Sequence, residues 1–213
     1  TSIAESMDPK ALMAHLSEYF DALSNVIMNE HGTIDKYIGD AIMAFWGAPL
    51  AQENTPHAAC RSALLCQKIN SVLNSRWKEQ QKPILLTRIG LHTGTTIVGN
   101  VGSKMRINYS VLGDSVNLAA RLEGINKLYG TNIIISEDTY FQVKDDFFCR
   151  LLDVVAVKGK SKSIHIYELI GEADVADDEL RKERVYYTDY ENAFGAYLDQ
   201  HWRQALEGFG RLL

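Results

Sequence analysis

The sequence predicts an α+β fold in which helices pack on one face of a mixed, mainly antiparallel sheet. Helical and strand-like segments are interspersed along the chain, but they form no regular βαβ repeat and include no glycine fingerprint of a dinucleotide-binding fold. Of the 213 residues, 46% are hydrophobic and 23% are charged, as is typical of an ordinary globular chain. This length suits one large domain with a small appendage.

The first part of the chain contains two predicted helices separated by a hairpin. Asp8-Pro9 is an N-cap followed by a proline in the first turn, and an apolar stripe at helical spacing continues to about Gly32. Gly39-Asp40 lies between two short strand-like runs, which indicates a hairpin. The second helix is predicted to begin at Thr55-Pro56.

Strands predominate in the next part of the chain. Residues 84–94 are apolar enough to predict a central strand, a second strand follows at 96–102, and residues 99–106 suit an exposed arm or loop. The stretch 108–124 predicts strand, turn and helix, with Asp114 as the N-cap. The remaining prediction is a buried strand, a short helix and two closing strands, at 131–136, 137–143, 148–157 and 163–170.

The composition changes after Ile170. Residues 171–186 are charged and poor in apolar side chains, so they read as a linker or a solvated helix. Residues 187–213 predict two short helices, and the Ala205-x3-Phe209 spacing resembles half of a tetratricopeptide-type repeat. This extension is either the start of a repeat array, which would offer a surface to a protein partner, or a plain helical hairpin.

Charge and cysteine usage exclude several classes of protein. The net charge of −5 argues against a nucleic-acid partner, and no apolar run approaches the length of a membrane span. The chain opens on Thr1 without a signal peptide, so we expect a cytoplasmic piece of a longer protein whose membrane anchoring is left open. Cys60, Cys66 and Cys149 lack metal-ligand spacing, which predicts reduced, buried thiols.

Three groups of polar residues could carry chemistry. Asp40, between apolar strands, could ligate a hard divalent cation, although Gly-Asp is also common turn chemistry. Asn117 and Arg121 share one helix face among apolar neighbours and could contact a phosphate, or could simply bond locally and reach water. Lys158 beside a glycine could hold a triphosphate or belong to a solvated loop.

Four motifs in this order resemble the catalytic core of class III nucleotidyl cyclases: DKYIGDAIMAFWG, RIGLHTG, YSVLGDSVNLAARLE and VKGK. The resemblance covers residues 1–170 and implies a ferredoxin-like catalytic domain, which leaves 171–186 as linker and 187–213 as extension. It also implies a head-to-tail homodimer with active sites shared between the two copies. A homodimer is favoured over a catalytic/regulatory heterodimer because one chain offers the residues of both half-sites.

The resemblance assigns roles to individual residues. Asp40 matches the second of two aspartates that hold two Mg²⁺ or Mn²⁺ ions, and Asn117 and Arg121 match the partner-subunit pair that orients the ribose and stabilises the α-phosphate. Lys158 matches the position that holds the terminal phosphates. Thr1 would end the F-x-D-I-x-G-F-T segment, whose backbone turn cradles the substrate phosphates, so Thr1 is expected to bind substrate. The first metal aspartate and the first strand, which this segment also carries, would lie upstream of Thr1.

Base preference follows from two further matched positions. Lys36 stands where adenylyl cyclases have Lys and guanylyl cyclases have Glu, and its ammonium can only donate, which suits N1 of adenine. Ser110 can accept from the adenine amine but can also donate, and it places the chain near the bacterial-type subgroup that pairs Lys with Ser or Thr. The implied function is an adenylyl cyclase of intracellular signalling that converts ATP to cyclic AMP and pyrophosphate. The alternatives are a degenerate cyclase-like dimerisation or sensing module, or a guanylyl cyclase.

Overall fold

The computed structural model describes residues 7–156, 163–173 and 178–212. Helices α1 to α6 are Pro9–Asn29, Thr55–Glu79, Asp114–Tyr129, Glu137–Val143, Asp178–Leu198 and Trp202–Gly210. Strands β1 to β8 are Thr33–Ile38, Ala41–Phe45, Ile89–Leu91, Ile97–Ser103, Arg106–Leu112, Ile133–Ser136, Phe147–Val155 and Ile164–Glu172.

The main sheet has four strands in the order β3-β6-β8-β7. β3 and β6 run parallel, whereas β6–β8 and β8–β7 are antiparallel. Two further antiparallel pairs stand beside this sheet, the β1–β2 hairpin and the β4–β5 ribbon. The predicted α+β fold with a mixed, mainly antiparallel sheet is confirmed.

Helices cover both faces of this sheet, so the prediction of helices on one face was wrong. All four residues of β6 are buried, and successive strand residues point to opposite faces. Ile133 and Ile135 pack in a cluster with Cys60 of α2, while Ile134 packs in another with Leu118 and Leu122 of α3. The short parallel pair β3–β6 needs such cover on both sides.

The predicted N-terminal elements are confirmed. Asp8 caps α1 by accepting from the backbone nitrogens of Lys10 and Ala11 over 3.0 and 3.3 Å. The hairpin turns through Gly39-Asp40, where Gly39 has a φ of 63°, a conformation that favours glycine. This turn places Asp40 at the tip of the hairpin.

The prediction of a central strand over residues 84–94 was wrong. β3 has three residues and lies at the edge of the main sheet. Side chains of α2 satisfy the preceding backbone instead: Asn74 bonds both the nitrogen and the carbonyl of Leu85 at 2.9 Å, and Gln67 donates to the Thr87 carbonyl over 2.8 Å. Backbone groups used by a helix in this way are not available for strand pairing.

The N-cap of α3 is Gly113 rather than Asp114. Gly113 has a φ of 141°, and Asp114 is the first helical residue and makes no side-chain capping bond. A carboxylate in the first turn still suits the positive end of the helix dipole. The glycine allows the sharp turn from β5 into α3.

The C-terminal extension packs against β7. The Glu191 carboxylate accepts from the Leu151 backbone nitrogen over 2.9 Å, and the Tyr190 hydroxyl donates to the Leu152 carbonyl over 2.9 Å. The helix α5 begins at Asp178, inside the segment predicted as linker, and forms a hairpin with α6. Continuation as a repeat array stays a prediction.

The three cysteines are free thiols, as predicted, although Cys149 is only partly buried. Burial raises the pKa of the Cys66 thiol to about 12 and also raises the pKa of Cys60. Within the described ranges, no helix is both long and apolar enough to cross a membrane.

Candidate active site

A cleft of about 540 Å³ separates the β1–β2 hairpin from β3 and from the start of α3. Asp40 lines it from the exposed hairpin tip, and Ser115 and Val116 line it from α3. Over residues 7–156, 163–173 and 178–212, β2 pairs only with β1, and β3 pairs only with β6. The cleft therefore lies between two strands that each have one unpaired edge.

The loop after β3 is fixed by polar contacts at the floor of this cleft. His92 lies 2.8 Å from the Ser136 hydroxyl through Nδ1, and Thr93 lies 3.0 Å from Thr139 between their hydroxyl oxygens. A Cβ on Gly94 would lie 2.6 Å from the Ser115 hydroxyl oxygen, so any larger residue here would have to displace the Ser115 side chain. These contacts hold the RIGLHTG segment against the start of α3.

Lys36 and Ser110 are brought together although 74 residues separate them in sequence. The Lys36 ammonium donates to the Ser110 hydroxyl oxygen over 3.2 Å, which joins β1 to β5. The Lys36 side chain is 42% exposed, whereas Ser110 is buried. The two residues that the sequence predicts for base recognition are therefore in contact in the structure.

A third residue, Asp35, belongs to this group, and sequence reasoning missed it. The Ser110 hydroxyl donates to Asp35 Oδ2 over 2.6 Å, and the Val111 backbone nitrogen donates to the same oxygen over 3.4 Å. Its other oxygen, Oδ1, lies 3.3 Å from the Lys36 ammonium. The available signal was an acidic residue directly before Lys36 in a strand.

A β-bulge explains how two neighbouring strand residues reach one hydroxyl. Ile34 pairs with Ala44 and Lys36 pairs with Met43, so Asp35 is the extra residue of β1. In a regular strand, side chains of consecutive residues point to opposite faces. The bulge re-aims them, so that Asp35 and Lys36 both face Ser110.

Asn117 and Arg121 lie on the exposed face of α3, while Leu118 and Leu122 bury the opposite face. Both side chains are therefore accessible to solvent in the single chain. Neither Asn117 nor Arg121 lines the cleft that contains Asp40. Thr1 and Lys158, the remaining predicted site residues, lie outside the described residues.

The donor set at the cleft suits a hard divalent cation only in part. Asp40 is exposed and offers carboxylate oxygens, the ligand type that Mg²⁺ and Mn²⁺ favour. Among the residues that the structure describes, no three His, Cys, Asp or Glu side chains group together as a metal site. Asp40 fits as one ligand and needs a second carboxylate.

The mixed sheet covered by helices on both faces, the cleft at the hairpin that carries the exposed Asp40, and the Lys36–Ser110 pair define a nucleotidyl cyclase domain as the class of protein. The family described as the adenylate and guanylate cyclase catalytic domain matches residues 1–171. The chain belongs to this family of class III nucleotidyl cyclases. Its members act on nucleotides, generally with divalent metal ions and as dimers.

Similar proteins include cyclases for both purine nucleotides. "Adenylate cyclase 1" of Rhizobium meliloti is 42% identical over 171 residues, which cover 80% of this chain and 26% of that relative. The adenylyl cyclase CyaB from P. aeruginosa has a TM-score of 0.75 at 33% identity, over 83% of this chain and 90% of its own. The guanylyl cyclase Cya2 has a TM-score of 0.73 at 30% identity, over 83% of this chain and 88% of its own. Since adenylyl and guanylyl cyclases share this fold, individual side chains determine the base preference.

Proposed function

We propose that this domain is the catalytic part of an adenylyl cyclase, which converts ATP to 3′,5′-cyclic AMP and pyrophosphate. The observation that carries the proposal is the hydrogen-bonded pair of Lys36 and Ser110. An ammonium can only donate, which suits N1 of adenine, whereas N1 of guanine carries a hydrogen. The similarity to "Adenylate cyclase 1" supports the same substrate.

The reaction is an intramolecular displacement. The ribose 3′-oxygen forms a bond to the α-phosphorus, the bond from that phosphorus to the oxygen of the β-phosphate breaks, and the 3′-hydroxyl proton is lost. Both reacting atoms belong to one substrate, so the protein contributes mainly by holding ATP bent with these atoms close together. Lys36 and Ser110 would fix the base at one end, and Lys158 would hold the terminal phosphates.

Asn117 and Arg121 would act at the centre of the reaction. The Arg121 guanidinium offers a planar fork of donors that can stabilise negative charge developing on the α-phosphate oxygens. The Asn117 amide can orient the ribose. Both residues are exposed on α3 and neither lines the Asp40 cleft of its own chain, which supports delivery to the Asp40 cleft of a second copy.

Asp40 would hold the divalent cations together with the aspartate expected upstream of Thr1. Two Mg²⁺ or Mn²⁺ ions, when bound, lower the pKa of the attacking hydroxyl and neutralise charge on the phosphates.

Mixing two inactive variants tests the shared site. Asp40→Ala and Arg121→Ala should each abolish cyclic AMP formation by the full-length protein. Equal amounts mixed together should recover about a quarter of wild-type activity, because half of the dimers are mixed and each has one intact site. Asn117→Ala mixed with Arg121→Ala should stay inactive, because both changes fall in the same half-site. Rescue in neither mixture would contradict the dimeric site.

Turnover of ATP and GTP with Mn²⁺ separates the alternatives. A guanylyl cyclase would favour GTP, and a degenerate dimerisation or sensing module would form a dimer without turning over either nucleotide. For an adenylyl cyclase, the expected result is cyclic AMP formation with a clear preference for ATP.

A further inference from the structure

Asp35 is a buried carboxylate to which the proposed reaction gives no role. Its side chain is fully buried, and it sits at the bulge of β1. Within the described part of the chain, Oδ1 accepts no hydrogen bond and has the Lys36 ammonium 3.3 Å away. Burying a charged group is costly unless it is paired. The contacts of the Asp35 carboxylate must therefore offset the hydration free energy that it loses.

The contacts of Asp35 decide which way the Ser110 hydroxyl points. A carboxylate can only accept, so the bond of 2.6 Å between Ser110 Oγ and Asp35 Oδ2 uses the one hydroxyl proton. Of the two lone pairs left on Ser110, one accepts from Lys36. Toward a ligand, Ser110 is then an acceptor only, although an isolated serine could equally donate.

We propose that Asp35 is a positioning residue for base selection, which fixes Ser110 as an acceptor for the 6-amino group of the purine. This inference rests on the proposed adenylyl cyclase function. Lys36 would present a donor to N1 and Ser110 an acceptor to the neighbouring amine, the pattern that matches adenine. Guanine offers a donor at N1 and an acceptor at O6, so both contacts would be mismatched.

The charge of Asp35 also positions the Lys36 ammonium. The side chain of Lys36 is partly exposed, and its ammonium carries three donors, of which one is bonded to Ser110. The nearby carboxylate keeps this ammonium at the hydroxyl. Because Ser110 itself is buried, we infer that Lys36 turns toward N1 as the base arrives and so opens Ser110 to the amine.

The test compares ATP with purine riboside triphosphate, which lacks only the 6-amino group and keeps the N1 acceptor for Lys36. In the full-length protein, kcat/KM should favour ATP by roughly tenfold or more, since a site built for a hydrogen bond rejects an analogue that lacks it. Asp35→Ala and Asp35→Leu, which fills the buried volume, should both lower this ratio, because the Ser110 hydroxyl is then free to donate as well as accept. Asp35→Asn keeps an acceptor oxygen and should retain part of the preference.

Two comparisons separate positioning from general stability. Asp35→Ala placed on Ser110→Ala should change the ratio no further, because no hydroxyl remains to orient. Asp153→Asn is the matched control: this carboxylate accepts from the Tyr129 hydroxyl over 2.5 Å in the same way, so its loss bears on stability and should leave the ratio unchanged.

An unchanged ratio in a folded Asp35→Ala or Asp35→Leu variant would overturn the inference, as would a further fall on the Ser110→Ala background. If neither of these two variants folds, the ratio is measured in Asp35→Asn. A wild-type ratio in that variant would count against the inference. Absence of cyclic AMP from the wild-type protein would instead refute the proposed function, so the two failures are distinguishable.

Discussion

Gly90 of β3 lies so close to α3 that a Cβ on Gly90 would stand 2.2 Å from the carbonyl oxygen of Ala119. The backbone nitrogen of Glu123 would be 2.3 Å away. Both contacts are with helix backbone, which cannot move aside as a flexible side chain can. This approach sets the position of α3, and with it the position of Asn117 and Arg121.

Gly90→Ala should therefore push α3 away from the sheet. We expect the free energy of unfolding to fall by at least about 2 kcal/mol, the usual cost of overpacking a rigid contact. Urea denaturation followed by circular dichroism measures it. Gly124→Ala is the matched control, because Gly124 lies on the same helix with nothing within 4 Å of its Cβ position, and it should stabilise by about 0.5–1 kcal/mol. Equal effects of both changes would contradict this account.

Lys36→Met should weaken the preference for ATP. Methionine has a similar length but no donor, so the bond to adenine N1 is lost and the conflict with the N1 hydrogen of guanine is removed. We expect kcat/KM for ATP to fall about ten- to a hundredfold and the value for GTP to stay level or rise. Lys68→Met, at an exposed position on α2, should change neither value. A parallel loss for both nucleotides would show that Lys36 does not read the base.

Glu191→Ala should loosen the attachment of α5 to β7. The change leaves the Leu151 backbone nitrogen without its acceptor, which should lower the free energy of unfolding by about 1–2 kcal/mol. Glu191→Gln keeps an acceptor oxygen and should behave almost like the wild type. Limited proteolysis of the C-terminal extension gives a second readout. Equal cleavage of the Ala and Gln variants would argue against this contact as the attachment.

Stability should fall above about pH 9, because burial raises the pKa of the Cys66 thiol from 9.0 to about 12. Below pH 9 the thiol is protonated in both states and contributes no pH dependence. Above it the unfolded chain loses the proton first, so the folded state binds more protons and unfolding becomes easier as the pH rises. This one thiol should lower the free energy of unfolding by about 1.4 kcal/mol at pH 10. Urea midpoints at pH 8 and pH 10 measure this, and Cys66→Ala should show a smaller drop.

Local signals were enough to predict most elements. The cap at Asp8-Pro9, the Gly39-Asp40 turn and the apolar runs after it act over a few residues, so the sequence alone identifies them. The pairing of Lys36 with Ser110 was inferred from the resemblance, because their separation of 74 residues leaves no local trace.

The errors arose where distant groups decide the local structure. Residues before β3 look like a central strand, but side chains of α2 occupy their backbone groups. The role of Asp35 depends on a bulge, and a bulge is a mismatch between two strands that neither strand reveals by itself. Likewise, Gly113 takes the cap position that Asp114 suits by composition, because the turn from β5 requires its φ.

The contacts between α5 and β7 have a consequence for association between molecules. β7 is an outer strand of the main sheet, and such a strand exposes backbone groups that can recruit a strand from another chain. Glu191 takes the Leu151 nitrogen and Tyr190 takes the Leu152 carbonyl, so a helix occupies part of the edge that an intruding strand would use. The C-terminal extension therefore covers part of the edge at which β7 could pair with a strand of another molecule.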